Sequence, residues 1–402
     1  MSASPARRAA FEVVRRVFED GAYTDRAFRS AAESLGPRDR AFAMQLAYGT
    51  VQLVRPLDHA IETLGRRPVR KLDPPVRAAL RLGAYQLAYL RSVPSHAAVN
   101  EAVELVREAR LERAVAFTNA VMRRLDTGIR DLLAGLDDET SERAALRHSY
   151  PDWVAEAWWR ELGREEALAL MRAQNEPPET AVRTREGPKV VERIPDEWLE
   201  DGVAWPQSRG SQLAGAAVGA RPGERVLDLC AAPGGKATQL AEAGAEVVAV
   251  EKHAGRAREL EANVRQMRAA NVQVVQADAL ELPPSISGFD RVLVDAPCSG
   301  LGVLNYRPDL RWRAGPLADL QLALLRVALE RAKPGGTVTY AVCTIHGPEN
   351  EDVVDRLGAP IDDLGAAHPD FRHPRRPEFL LTVPHVHRTA GFFIARIARD
   401  VA

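Results

Sequence analysis

Lysine is scarce in this chain, 5 of 54 basic residues, so its arginine content reflects compositional bias as much as any design for binding nucleic acid. Cysteine is scarcer still. Three residues, Cys230, Cys298 and Cys343, are too few for a disulfide framework, and the odd count argues against one. They are expected as free thiols in a reducing compartment, and the plain reading of each is a small buried hydrophobe. No apolar run approaches the ~20 residues of a membrane span. The opening MSASPARRAAFEVV lacks the apolar core of a signal peptide. A cytoplasmic protein with no membrane partner is therefore expected. No Cys/His cluster has zinc spacing, so no metal is expected, and a monomer is the default.

What is present divides along the chain. With 402 residues, 46% of them hydrophobic, the chain is long enough for two or three domains. The net charge of −1 conceals a split: residues 1–125 carry 21 Lys and Arg against 13 Asp and Glu, and the remainder carries 33 against 42. A basic module joined to an acidic one suits a protein that holds nucleic acid at one end, although arginine-rich helices also simply solvate a surface. Residues 1–125 show helical apolar spacing throughout (AAFEVVRRVF, RAFAMQLAYGTVQLV, VRAALRLGAYQLAYL), punctuated by prolines, with no strand-like alternation. They predict an all-helical domain. Residues 126–215 read as a connector: PDWVAEAWWRELGREEALALMRAQ predicts two short helices, NEPPET ends them, AVRTRE suggests a strand, and the rest is poorly periodic. From about 216 strand and helix alternate (RVLDLC, EVVAVE, VQVVQAD, FDRVLVDAP and TVTYAVC, with helical segments between), which predicts a mainly parallel sheet covered on both faces. LLTVPH and GFFIARIAR predict an antiparallel hairpin at one edge.

The strongest local signal is RVLDLCAAPGGKATQL at 225–240, a strand running through a small-residue turn into a helix. Gly234 and Gly235 let a backbone approach a ligand, and the helix N-terminus favours a negative group. Three readings compete: a dinucleotide fold would need G-x-G-x-x-G, which is absent; a P-loop would need a first glycine separated from GK by four residues, also absent; the third is an S-adenosylmethionine cradle. Glu251 ends the next strand, placed to accept from ribose hydroxyls, and Asp278 ends the third, placed for an adenine amino group. Each acid alone is as readily a solvated loop carboxylate; with the turn they make a set.

Two cysteines also fall at strand ends, Cys298 in VLVDAPCSG beside Asp295, and Cys343 in TVTYAVCTI. Cytosine C5 is a poor nucleophile, and a thiolate adding to C6 makes C5 enamine-like. That chemistry needs a low-pKa cysteine, an acid near N3 and a base for the C5 proton. Methylation of an amine or an oxygen would require no cysteine.

At these residues the sequence resembles the NOL1/NOP2/Sun family of RNA cytosine-C5 methyltransferases, through LDLCAAPGGKATQL, VLVDAPCSGLGVLNYRPDLRW, YAVCTIHGPENEDVV and GFFIARI, covering roughly 220–400. The helical segment, through SLGPRDRAFAMQLAYGTV, LDPPVRAALRLGAYQLAYL, VPSHAAVNEAVELVR and FTNAVMRR, resembles a NusB-like RNA-binding domain. The combination is similar to bacterial Sun-type enzymes of 16S ribosomal RNA. It implies a multidomain chain: an all-α NusB-like domain at 1–125, a connector or small subdomain at 126–215, and an α/β Rossmann-like methyltransferase domain at 216–402. It implies Cys343 as nucleophile, Cys298 as the residue that assists product release, and Asp295 touching both cofactor and base. S-adenosylmethionine would be held by Cys230, Ala231, Ala232, Pro233, Gly234, Gly235, Lys236, Glu251, Asp278 and Asp295. The implied partner is RNA, small-subunit ribosomal RNA first. A transfer RNA substrate, or a non-catalytic RNA-binding protein retaining the fold, are the alternatives. Arg7, Arg8, Arg15 and Arg16, along one helix, are the expected RNA contacts; Trp153, Trp158 and Trp159 could stack on bases but fit a helical core better. The chain departs from the family pattern at Val342, where Thr or Ser usually precedes the nucleophile; at Ser208 and Arg209, in place of two acids; at Ala390, in place of an Asp; and in VRT, in place of R-V-N.

Overall fold

The computed structural model describes residues 2–313, 315 and 317–400. The chain divides into two units. One takes the residues up to Asn175 together with Leu304–Arg313, and the other takes Glu176–Val303 and the chain from 314 onward.

The first unit is helical, as the 3.6-residue apolar spacing requires. Its N-terminal part holds helices Pro5–Glu19, Thr24–Ala31, Pro37–Gln52, Val54–Gly65, Pro74–Tyr89, Ser95–Glu108 and Glu112–Ala134. Three of them begin on a proline, which has no N–H to leave unsatisfied and whose φ is already helical. Helix Pro74–Tyr89 is the centre: Ala78 to Leu87 are all buried, and it packs against five of the other helices. Gly83 lets helix Glu112–Ala134 pack closely there: a Cβ would lie 2.5 Å from Met122 Cε and would push that side chain aside. Helices Ser141–His148, Asp152–Leu162 and Arg164–Ala173 complete the unit with a core around Trp158, which is fully buried and packs edge-on to Tyr150 at 5.3 Å. Trp158 is thus a core residue with no face for a base.

The arginines expected to meet RNA are largely occupied. Arg7 Nε donates to Gln86 Oε1 at 2.7 Å and Nη1 lies 3.4 Å from Glu101; Arg8 pairs with Glu108 at 3.0 Å; Arg15 pairs with Glu12 at 2.9 Å. Burial pulls the Arg7 guanidinium below the ordinary arginine range, against the pull of Glu101. Arg7 and Arg8 therefore fasten the first helix to helix Ser95–Glu108. Periodicity could not reveal this, because the acids lie about a hundred residues away.

Leu304–Arg313, which follows the Cys298 turn, is embedded in this helical unit. Arg311 is 1% exposed; its Nη1 donates to Ser149 O (2.9 Å), Asn175 Oδ1 (3.1 Å) and Gln52 O (3.3 Å), and its plane lies over Tyr150. Trp312 Nε1 donates to Val51 O at 2.9 Å.

The second unit opens with three strands: β1 (Ala181–Thr184), β2 (Gly187–Val190) and β3 (Ala204–Pro206). They form an antiparallel sheet in the order β2-β1-β3. AVRT in β1 was expected as a strand; β2 and β3 fall in the stretch that reads as aperiodic, because strands of four and three residues hold too little alternation to register. The large sheet contains β4 (Arg225–Asp228), β5 (Glu246–Glu251), β6 (Val272–Gln276), β7 (Phe289–Asp295), β8 (Ala332–Val342), β9 (Ile361–Asp362), β10 (Leu380–Thr382) and β11 (Phe392–Ala398). Its order is β10-β11-β8-β7-β4-β5-β6, with β9 on β11. The strands β4 to β8 run parallel, and β11 is antiparallel to both β8 and β10. The terminal hairpin is present, and its long strand is an interior strand of the sheet. β7 runs as an apolar strand buried at Val292, Leu293 and Val294, as a strand covered on both faces must be. From β4 the chain proceeds outward through β5 and β6 on one side, then returns to lay β7 and β8 on the other. The crevice between β4 and β7, at their carboxyl ends, is where such sheets bind ligands.

Candidate active site

The first part of the site is the turn after β4. Gly234 has φ +114° and a Cβ there would come 2.8 Å from Leu260 Cδ1, so only glycine suits both the turn and the packing. Ala231 and Ala232 are buried and Pro233 is exposed. Lys236, on the helix Gly235–Glu242, is 8% exposed; its Nζ meets Asp295 Oδ2 at 2.8 Å and lies over the Phe392 ring at 5.0 Å. This pair joins the turn after β4 to the end of β7. Beside it, Asp228 is 1% exposed, and its Oδ2 has no hydrogen-bond partner among the described residues, while Oδ1 accepts from Cys230 N at 3.4 Å. Burial, then the nearby Asp295 charge, push the Asp228 carboxyl up to about 7, against the pull of Lys236. Burial, then Asp228, also push the Cys230 thiol up, so Cys230 stays a neutral wall of the turn.

The acids at the neighbouring strand ends are held from below. Glu251 is 4% exposed; its Oε1 accepts from His253 N at 2.8 Å, and Arg256 stands 3.4 Å from Oε2. Arg256 also donates to Ala232 O at 2.7 Å, tying this acid to the glycine turn. Asp278 lies two residues beyond β6. It accepts from Leu280 N and pairs with Lys252 at 2.6 Å; the hydrogen bond from Lys252 chiefly holds its carboxyl below the usual range. A buried carboxylate with an open oxygen and two acids at adjacent strand ends suit a ligand carrying a cation and hydroxyl or amino donors.

The second part is the thiol pair. Cys298 follows β7, Cys343 follows β8, and their sulfurs are 3.3 Å apart. The two turns are laced together. Ala296 N donates to Ala341 O (3.0 Å), Gly302 N to Cys343 O (3.0 Å), and Ser299 Oγ meets Thr344 Oγ1 (2.9 Å). Thr344 thus supplies a hydroxyl contact from the position after Cys343, while Val342 is fully buried at the end of β8. Below them Glu349, with no exposed surface, accepts from Ser299 N (3.0 Å), Gln321 Nε2 (3.0 Å) and Leu317 N (3.2 Å). The hydrogen bond with Cys343, then burial and the Cys343 and Glu349 charges, hold the Cys298 thiol well above its ordinary value. Glu349 was not among the expected site residues, since its burial comes from the fold and not from its neighbours in sequence. Asp295 is three residues from Cys298, so Lys236, Asp228 and the thiols share one end of the sheet.

Ser208 and Arg209 are absorbed structurally. Ser208 caps the helix Arg209–Ala217, accepting from Ser211 N. Arg209 pairs with Glu179 at 2.7 Å and donates to the carbonyls of His387 and Arg388, so it ties the segment to the loop that carries Ala390. Among the described residues no group of three or more His, Cys, Asp and Glu is placed to hold a metal ion, and no helix is long and apolar enough to cross a membrane.

Comparison with known proteins agrees with this arrangement. Residues 216–398 match the family described as 16S rRNA methyltransferase RsmB/F, and residues 4–127 match the NusB family. The ribosomal RNA small subunit methyltransferase B of Thermus thermophilus is 36% identical over 89% of this chain and 85% of its own length. The protein of that name from Vibrio cholerae is 29% identical over 98% and 97%. The crystal structure of PH0851 superposes with a TM-score of 0.82, covering 98% of this chain and 99% of its own at 23% identity, which speaks for the fold alone. With an all-helical NusB-family domain ahead of a Rossmann-like domain whose sheet is mostly parallel, the chain belongs to the 16S rRNA methyltransferase RsmB/F family.

Proposed function

We propose that this protein methylates carbon 5 of a cytosine in small-subunit ribosomal RNA, with S-adenosylmethionine as donor and Cys343 as a covalent nucleophile. The observation that carries the reading is the pair of free thiols 3.3 Å apart at the ends of adjacent strands, three residues from the Lys236–Asp295 pair. The names of the relatives, ribosomal RNA small subunit methyltransferase B, favour the 16S substrate over transfer RNA. In this reading residues 1–125 are the RNA-binding domain, 126–215 the connector and 216–402 the catalytic domain.

When bound, S-adenosylmethionine supplies an electrophilic methyl group. Residues 230–236, Glu251, Asp278 and Asp295 would hold it, and the open Oδ2 of buried Asp228 offers it a further acceptor. The Cys343 thiolate adds to C6, forming a carbon–sulfur bond and moving electron density to C5. Asp295, oriented by Lys236, faces the base. After C5 is methylated its proton must leave, and the C6–sulfur bonding pair returns to Cys343. Cys298, its sulfur 3.3 Å from that of Cys343, is placed to assist this release of the methylated product.

The test is methyl transfer from labelled donor to unmodified small-subunit RNA by wild type, Cys343→Ala and Cys298→Ala, with denaturing gels alongside. C5-methylcytosine from wild type, none from Cys343→Ala and a persistent RNA adduct with Cys298→Ala are expected. Activity retained by Cys343→Ala would overturn the assignment of the nucleophile.

A further inference from the structure

The second unit contains a cavity of about 870 Å³ that the chemistry above does not use. Its walls come from the β1–β2 hairpin, the helix Arg209–Ala217, the far end of the helix Gly235–Glu242 and the loop that leads into β6. The cofactor turn sits at the start of helix Gly235–Glu242, so the cavity is at the opposite end of that helix. Its volume falls within the range of roughly 300–1,000 Å³ that suits a small organic ligand.

The charges around it are one-sided. Arg183, Arg185, Arg209 and Arg268 line it, and Glu242 is the single acid among the lining residues. Glu242 is spent on Arg183, 3.0 Å from its Nε, and Glu179 is spent on Arg209 at 2.7 Å. The side chains of Arg185 and Arg268 are exposed and have no hydrogen bond, ion pair or ring contact among the described residues. Two uncompensated guanidinium groups on the rim of a cavity with an apolar interior, where Leu213 and Met267 contribute, match a phosphate-bearing ligand with a flat organic body.

We infer that this cavity is a second RNA contact, seating a nucleotide of the single-stranded substrate with its flanking phosphates on Arg185 and Arg268. The inference rests on the proposed RNA substrate. It also has a route to the catalytic end. Arg183, 4% exposed, donates to Thr238 Oγ1 at 2.8 Å and to Gly235 O, and so spans the helix that begins at the cofactor turn.

The experiment measures equilibrium binding of a fluorescent single-stranded fragment of small-subunit RNA to the full chain between 50 and 200 mM salt. It compares wild type, Arg185→Ala/Arg268→Ala, Arg185→Lys/Arg268→Lys and the cavity-filling Ala216→Trp. Each phosphate contact to a single strand adds about 0.7 to the salt slope, so two contacts make the wild type lose about seven-fold more affinity than the double alanine variant across that range. The lysine variant should keep the slope, and Ala216→Trp should weaken binding while leaving the melting temperature intact. In methyl transfer the alanine variant should raise KM with kcat unchanged. Unchanged affinity and slope in both the alanine and tryptophan variants overturn the inference even where methylation is normal. Loss of slope in a protein that methylates no RNA upholds this site and removes the proposed reaction instead.

Discussion

Glu349 gives the sharpest test of how the thiol turn is held. Its carboxylate is the shared acceptor for Ser299 N, Leu317 N and Gln321 Nε2, in a place with no solvent contact. Glu349→Ala leaves Ser299 N and Leu317 N without an acceptor and one N–H of Gln321 Nε2 unpaired, its other partner being Pro297 O. A buried donor left unpaired costs about 1–3 kcal/mol, and water entering the vacated space brings each towards the lower end, so the three together cost about 3 kcal/mol. For a unit of roughly 150–250 residues each kcal/mol lowers the melting temperature by about 2–4 °C, which predicts a drop of about 6–12 °C. A circular dichroism melt reads this directly. Because Ser299 adjoins Cys298, and the Glu349 charge helps hold the Cys298 thiol up, iodoacetamide should alkylate Cys298 faster in the variant at a fixed pH near neutrality. Glu349→Gln, which keeps the volume and one acceptor oxygen, should fall between the two. An unchanged melt together with an unchanged alkylation rate for Glu349→Ala would refute the reasoning.

Other consequences are as direct. In Gly302→Ala the new Cβ would sit 2.2 Å from Gly391 O, where Gly391 N donates to Gly302 O and Gly302 N to Cys343 O; an overpacking cost of about 1–3 kcal/mol and a loss of methyl transfer larger than the loss of fold are expected from a melt and an activity assay. Arg311→Ala leaves three buried acceptors without their shared donor and should destabilise the helical unit by about 3 kcal/mol or more in a denaturant titration; Arg311→Lys should recover only part, since the shorter side chain gives up the flat guanidinium that lies over Tyr150. Asp228 is raised in the folded state to about 7 from 3.8, so the unfolded chain ionises first and stability falls as pH rises between those values, by up to about 4 kcal/mol. Asp228→Asn should therefore gain stability over wild type at pH 8 that it lacks at pH 4, both measured without ligand by urea unfolding. Equal differences at the two pH values would dismiss the buried neutral acid.

The elements that were legible are those whose signal is local. The helical character of residues 1–125, the strands β4 to β8 and the closing hairpin each carry their own periodicity, and the glycine turn after β4 announces itself by composition. What escaped has its partners far along the chain. Arg7 and Arg8 read as a basic face until Glu101 and Glu108 are folded against them. RPDLRW falls in the segment that resembles the methyltransferase family, yet Arg311 and Trp312 are embedded in the helical unit through Gln52, Ser149 and Val51. Ser208 and Arg209 read as departures, and the partners that hold Arg209 are Glu179, 30 residues away, and the carbonyls of His387 and Arg388, 178 and 179 residues away.

From its sequence alone this protein could be assigned two fold types in order, a cofactor turn and two cysteines at strand ends, because hydrophobic period and turn chemistry are properties of adjacent residues. The tertiary structure decided which of its charges are free. It brought two thiols 45 positions apart to 3.3 Å, placed Glu349 beneath them, left Asp228 buried with an open oxygen, and set Arg185 and Arg268 unpaired at the rim of a cavity. Burial and through-space distance govern whether an ionisable group is a strut or a site, and neither quantity is written in the order of the residues.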